Sequence, residues 1–170
     1  MLYRHNIAFD NVASELEILD TSRCTSECLY EHIRWGEAFV VVYSVCDPKS
    51  FREAQDLLTL IARLKLPSYY TALLLGNQRD LDHIREVCVD AGQEVSLTFG
   101  CQFYEVSAAE HCAGVSLAFQ SLVREARAGQ LLRALPVRRK LGVNSVSKVI
   151  GNIFGISNKN VRKKRPSLSI

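Results

Sequence analysis

The stretch Thr71-Ala72-Leu73-Leu74-Leu75-Gly76-Asn77-Gln78-Arg79-Asp80 constrains this chain more than any other. It is an apolar run of strand length that stops at a glycine, releases an amide, and three residues later releases a carboxylate. In an open α/β sheet, ligands sit just beyond the carboxyl ends of the strands, so polar side chains released there are placed to meet one. A fixed carboxylate accepts a pair of hydrogen bonds from a ring with adjacent N–H and NH₂ groups, and a nearby amide can tie the loop to its neighbours. Guanine carries such an edge. Gly-Asn is equally ordinary turn chemistry, so the tetrad by itself leaves both readings open.

Strands and helices alternate around this run. Leu2 to Phe9 reads as an edge strand with patchy alternation, and Glu15-Leu16-Glu17-Ile18-Leu19 as a second strand that releases Asp20-Thr21 at its tip. Thr25 to Arg34 predicts a short polar helix with Leu29 and Ile33 one turn apart. Ala38 to Val45 is apolar on both faces, the mark of a strand covered by helices on each side of a parallel sheet. Asp47-Pro48 is a cap and first-turn proline, and Phe51, Ala54, Leu57, Leu58 and Ile61 then follow at helical spacing until Pro67 ends the segment. Asp90 is expected to open a helix that Gly100 closes. Gln102 to Val106 is the next strand, and it delivers Ser107-Ala108-Ala109 to the edge where the tetrad emerges. Val115, Ala118, Phe119, Leu122 and Ala126 form the buried stripe of a last helix, expected to stop at Gly129. The alternation argues for a parallel sheet with right-handed crossovers, and three strand tips are expected to converge: Asp20, Asn77 with Asp80, and Ser107-Ala108.

Charge divides the 170 residues into two expected regions. Residues 1–128 hold 11 basic and 18 acidic side chains, whereas 129–170 hold ten basic and none acidic, so a body of −7 is joined to a tail of +10. In the tail, Val143, Val146, Ile150, Ile153 and Phe154 share one helical face between the clusters Arg138-Arg139-Lys140 and Arg162-Lys163-Lys164-Arg165. Such a segment suits an anionic membrane or an import receptor, and a solvated disordered tail is the plainer alternative. The acidic body breaks any apolar run long enough for a signal peptide, and no stretch has the length to cross a bilayer. The chain is therefore expected to work in the cytoplasm, in the nucleus, or at a membrane surface through its tail. Its six cysteines read as reduced core thiols. Cys24 and Cys28, one helical turn apart, could bind a metal with His32, but no second ligand pair completes a tetrahedral site.

Several of these stations, in register, resemble the Ras superfamily of small GTP-binding proteins. Asp20-Thr21 resembles the start of the Asp-x-x-Gly switch motif, Asn77-Gln78-Arg79-Asp80 the Asn-Lys-x-Asp guanine motif, and Ser107-Ala108-Ala109 the Ser-Ala-Lys loop. Ile33 to Phe39, Val42 to Asp47, Asp80 to His83 and Phe103 to Glu105 resemble the Ras-related and oestrogen-regulated growth inhibitor branch and its Ras-like relatives. The resemblance covers about residues 1–128 and implies a P-loop-type, three-layer α/β G domain that binds GTP and GDP, hydrolyses GTP slowly and signals through Ras-type effectors and regulators. It implies that Asp80 pairs with guanine, that Asn77 braces the loops, that the Ala108 N–H faces the guanine oxygen, and that Asp20 holds Mg²⁺ through water.

Departures from the pattern are specific. No Gly-Lys pair occurs in the sequence, so the phosphate loop has no counterpart, nor do the first strand, first helix and first switch. Arg23 stands where the switch glycine belongs, Cys24 where a glutamine would orient water, and Gln78 and Ala109 replace two lysines beside the nucleotide. These departures suggest a fragment or short form, with a pseudo-GTPase or partner-binding module as the alternative to a nucleotide hydrolase. A gap is expected between the strand ending at Asp20 and the one starting near Phe39, leaving unpaired ladder edges and uncovered apolar faces. The final Ser167-Leu168-Ser169-Ile170 holds no cysteine for a prenyl anchor, and Ser167 is a candidate phosphate acceptor beside the basic cluster.

Overall fold

The computed structural model describes residues 1–9, 12–66, 68–110 and 112–134; Pro67 and the amphipathic stretch of the tail lie outside them. The chain runs β1 (Leu2–Phe9), β2 (Val12–Leu19), α1 (Ser26–Trp35), β3 (Ala38–Ser44), α2 (Pro48–Lys65), β4 (Thr71–Asn77), a short 3-10 helix (Arg79–Ile84), α3 (Val89–Phe99), β5 (Gln102–Glu105) and α4 (Cys112–Ala134).

The expected α/β architecture is present, built on a three-stranded parallel sheet in the order β3-β4-β5. Ala38 lies opposite Thr71, and Leu73 opposite Gln102. Side chains of β4 alternate between two cores, as the two-residue period of a strand requires. Ala72 and Leu74 enter one with Tyr43, Leu58, Ile61 and Val95, contributed by β3, α2 and α3. Leu73 and Leu75 enter the other with Ala118 and Leu122 of α4. Leu73 and Leu74 are both 0% exposed, so the central strand is covered on both faces.

Local chemistry sets the element ends. Asp47 caps α2 by accepting from the Lys49 N–H at 2.8 Å, with Pro48 in the first turn. Gly100 closes α3 in the left-handed region at φ 63°, where its N–H reaches back to Leu97 and Ser96. Ile33 buries the inward side of α1, and Leu29 packs beside it.

Four expectations need correction, and one element was not foreseen. Alternation of strand and helix does not hold at the start, because β1 and β2 are consecutive and pair antiparallel, Leu2 opposite Leu19 and Phe9 opposite Val12, as a separate two-stranded sheet. Cys88, not Asp90, caps α3; Asp90 sits in the first turn. The loop after β4 is wound into a 3-10 helix that apolar periodicity could not reveal. Gly129 does not end α4, which continues to Ala134. There the Tyr69 ring lies against the helix, and a Cβ on Gly129 would come within 2.0 Å of a ring carbon, so the glycine serves close approach and not termination. Finally, of the six free cysteines only Cys46 and Cys101 pack against the core, while Cys24 and Cys28 are half-buried away from it and Cys88 and Cys112 are exposed.

β3 has no strand on its outer side among the described residues, and its Val42 is 53% exposed although the sequence marks both faces of this strand as apolar. No helix among the described residues is long and apolar enough to cross a membrane.

Candidate functional site

The carboxyl ends of β4 and β5 lie side by side, and backbone hydrogen bonds carry the parallel ladder past the strands. The Val106 N–H donates to Gly76 O at 2.8 Å, and the Arg79 N–H donates to Val106 O at 3.1 Å. One side chain then joins the two loops: Asn77 Oδ1 accepts from the Ala108 N–H at 3.1 Å. Asn77 therefore braces the loop that carries Ser107, Ala108 and Ala109. On its other side the Asn77 carbonyl accepts from the Val45 N–H at 3.1 Å, tying the same point to β3. The Ala108 N–H, which the sequence resemblance assigns to a guanine oxygen, already has Asn77 as a partner, so a base would have to share it.

Gln78 turns the chain at φ 66°, a left-handed conformation that L side chains adopt at a cost of about 1 kcal/mol. Ser44 Oγ donates to its side-chain oxygen, and the Leu81 N–H donates to its carbonyl at 2.9 Å. Through this turn Asp80 emerges on the 3-10 helix with an exposed carboxylate. Ser107 is buried and its hydroxyl accepts from the Glu110 N–H at 3.2 Å, which closes the β5 loop; Ala108 and Ala109 are exposed beside it. Gly76 is required by a close approach, since a Cβ there would sit 2.9 Å from the Tyr43 hydroxyl and 3.1 Å from Glu105 Cγ.

Sequence reasoning missed the ion pair that fastens this edge from below. Arg85 grips Glu105 with two bonds, Nη1 to Oε1 at 2.8 Å and Nη2 to Oε2 at 2.9 Å, and reaches Asp82 at 2.8 Å through Nε. The side chains of Arg85 and Glu105 are only 16% and 8% exposed. Hydrogen bonds to Glu105 and then Asp82 hold the guanidinium well above its ordinary pKa. The pair locks the end of the 3-10 helix to β5, and no spacing rule could have found it, because the partners lie twenty residues apart on different elements.

Asp20 is tied elsewhere. Its Oδ1 accepts from the Ser22 N–H at 2.9 Å, its N–H donates to Met1 O at 2.8 Å, and its carbonyl accepts from the Met1 ammonium at 2.9 Å. Of the three tips expected to converge, hydrogen bonds knit Asn77 and Ala108, while the bonds of Asp20 stay within its own hairpin and turn. The Ser22 hydrogen bonds hold the Asp20 carboxyl below its usual pKa, so it is ionised at neutral pH. A single exposed, ionised carboxylate suits a water-mediated hold on Mg²⁺, an ion that keeps several waters and takes the rest of its ligands from phosphate oxygens.

The Ras family model matches residues 2–128. Ras-related and estrogen-regulated growth inhibitor of Homo sapiens is 34% identical over 153 residues, covering 89% of this chain and 76% of that protein. The Homo sapiens protein named Ras-related and estrogen-regulated growth inhibitor-like is 32% identical over 168 residues, 94% of this chain and 81% of its own. GTP-binding protein Rit2 of Mus musculus is 34% identical over 139 residues, 81% and 64% respectively. A family match over three quarters of the sequence, on a sheet whose strand ends carry the expected loops, leaves one assignment: the chain belongs to the Ras family of small GTPases.

Proposed function

We propose that this chain binds guanine nucleotide by its base, at the rim formed by Asn77, Gln78, Asp80, Ser107, Ala108 and Ala109. The hydrogen bond from the Ala108 N–H to Asn77 Oδ1 carries this reading, because it joins two loops from different strands into one edge beside an exposed carboxylate. Asp80 accepts from the N–H and NH₂ of the ring, and Ala108 shares its N–H with the base oxygen. Asp20 holds Mg²⁺ through water; when bound, that ion neutralises phosphate charge.

GTP hydrolysis by this chain is slow in this reading. Cys24 stands where a water-orienting amide is needed, and no Gly-Lys pair supplies a phosphate-binding lysine. Effectors and regulators of the Ras type are the protein partners, and work in the cytoplasm with the ten-cation tail drawn to anionic membrane suits the charge pattern.

Equilibrium binding of labelled GDP to the 170-residue chain tests the reading. Guanine is expected to compete better than adenine, with affinity far weaker than a nanomolar hold, and Asp80→Asn should abolish the preference. An unchanged preference in that variant would make the tetrad a turn alone and leave a partner-binding module. A nanomolar, magnesium-dependent constant would overturn the weak phosphate hold.

A further inference from the structure

One side-chain cluster is not used by the guanine reading. Cys28 and His32 lie one turn apart on α1, and Cys24 lies one turn before Cys28, next to the Thr25 cap. The two sulfurs are 3.4 Å apart, and His32 Nδ1 is 3.3 Å from Cys24 Sγ and 3.5 Å from Cys28 Sγ. All three residues are half-buried, and one donor atom from each lies within 4.8 Å of the others.

These spacings are close to those of a tetrahedral zinc shell. With Zn–S of about 2.3 Å and Zn–N of about 2.0 Å, tetrahedral angles separate two sulfurs by about 3.8 Å and sulfur from nitrogen by about 3.5 Å. The observed triangle needs to open by only a few tenths of an ångström. Both sulfurs face the same ring nitrogen, whereas Nε2 lies 3.8 Å from Cys28 alone, so Nδ1 is the donor. The helix places Cys28 and His32 on one face, since positions four apart are neighbours, and the turn before the Thr25 cap brings Cys24 up to them.

Two thiolates so close repel one another, and a divalent cation turns that repulsion into attraction. The missing second ligand pair does not exclude a site, because three protein ligands and an open position are an established coordination for zinc.

We propose that Cys24, Cys28 and His32 form a three-ligand site for a thiophilic cation of the zinc class, with water in the fourth position. Binding displaces two thiol protons to solvent, so affinity rises with pH. The ion fastens the turn after Asp20 to the first two turns of α1.

The test uses the full chain, reduced and free of nucleotide, so it stands or falls apart from the guanine reading. Zinc is titrated against a chromophoric chelator, and cobalt is followed by its thiolate charge-transfer absorption. One equivalent is expected to bind, at least tenfold more weakly in His32→Gln and in Cys28→Ser, each matched to the parent by circular dichroism. Joint replacement of the exposed Cys88 and Cys112 by serine should leave affinity unchanged. Binding that ignores His32→Gln, binding lost with Cys88 and Cys112, or no binding below millimolar zinc would overturn the proposal. So would a count of free thiols two short of six under the same reducing conditions, which would mark a Cys24–Cys28 disulfide.

Discussion

The hairpin β1–β2 and the sheet β3–β4–β5 are both made of strands, yet different forces hold them. The hairpin has a full eight-residue antiparallel ladder, but residues 1–6 are exposed and its substantial packing is between its own two strands. An isolated two-stranded hairpin in water is marginal. In the parallel sheet, by contrast, every residue of β4 from Thr71 to Gly76 is buried, and helices cover both faces. Ladder hydrogen bonds largely exchange with water and contribute little net, whereas burial of apolar side chains supplies most of the stability. The candidate site inherits this contrast: the half proposed to meet the base rests on the buried sheet, while Asp20 rests on the hairpin.

Replacing Leu74 by Ala should show the largest effect, a loss of about 2–5 kcal/mol in urea unfolding, because the side chain is wholly enclosed. A loss below about 1 kcal/mol would remove the distinction between the two regions. Glu105→Gln should cost about 3 kcal/mol by leaving the Arg85 guanidinium with only the exposed Asp82 as a carboxylate partner, and high salt should not mimic it, since the Arg85–Glu105 pair is shielded from solvent. An effect reproduced by salt would mean that this edge is fastened no better than a surface.

Gly76→Ala should cost about 1–3 kcal/mol through the Tyr43 hydroxyl, and less in a Tyr43→Phe background, where the 2.9 Å obstacle is gone. Tyr43→Phe itself should be neutral or stabilising, because that buried hydroxyl has no hydrogen-bond partner. Burial pushes the Tyr43 pKa up to about 12 from 10.0, so the folded state keeps a proton that the unfolded state loses in that window. Stability from this group is full below pH 10 and falls away as pH rises to about 12; in Tyr43→Phe the alkaline fall of the melting temperature should be shallower. The smallest effect belongs to the hairpin. Arg4→Ala removes a 2.9 Å bond to Glu17 on the surface and should cost about 0.5 kcal/mol or less, with amide exchange in β1 faster than in β4 before and after.

Much of the fold was legible because helices and strands announce their faces locally. The Asp47-Pro48 cap, the stripe from Phe51 to Ile61 and the run from Ala72 to Leu75 were read from neighbours within a turn or two. Local pattern also found the loops of the candidate site, since Asn77, Asp80 and Ser107 sit where strands end. It failed where the deciding atom came from far along the chain. Gly129 looked like a helix stop until the Tyr69 ring was seen lying against it, and Val42 looked buried but is 53% exposed. Cys24, Cys28 and His32 were found by spacing, but only the fold showed one nitrogen facing both sulfurs.

The sequence by itself determined most of the strands and helices, which loops carry polar groups at strand ends, and to which family the pattern belongs, because periodicity and motif spacing are properties of neighbouring residues. Only the tertiary structure decided that Asn77 meets Ala108, that Arg85 clasps Glu105, and that the first two strands pair with each other. Those outcomes depend on which distant surfaces bury one another, and apolar burial has no direction along the chain from which a partner could be read.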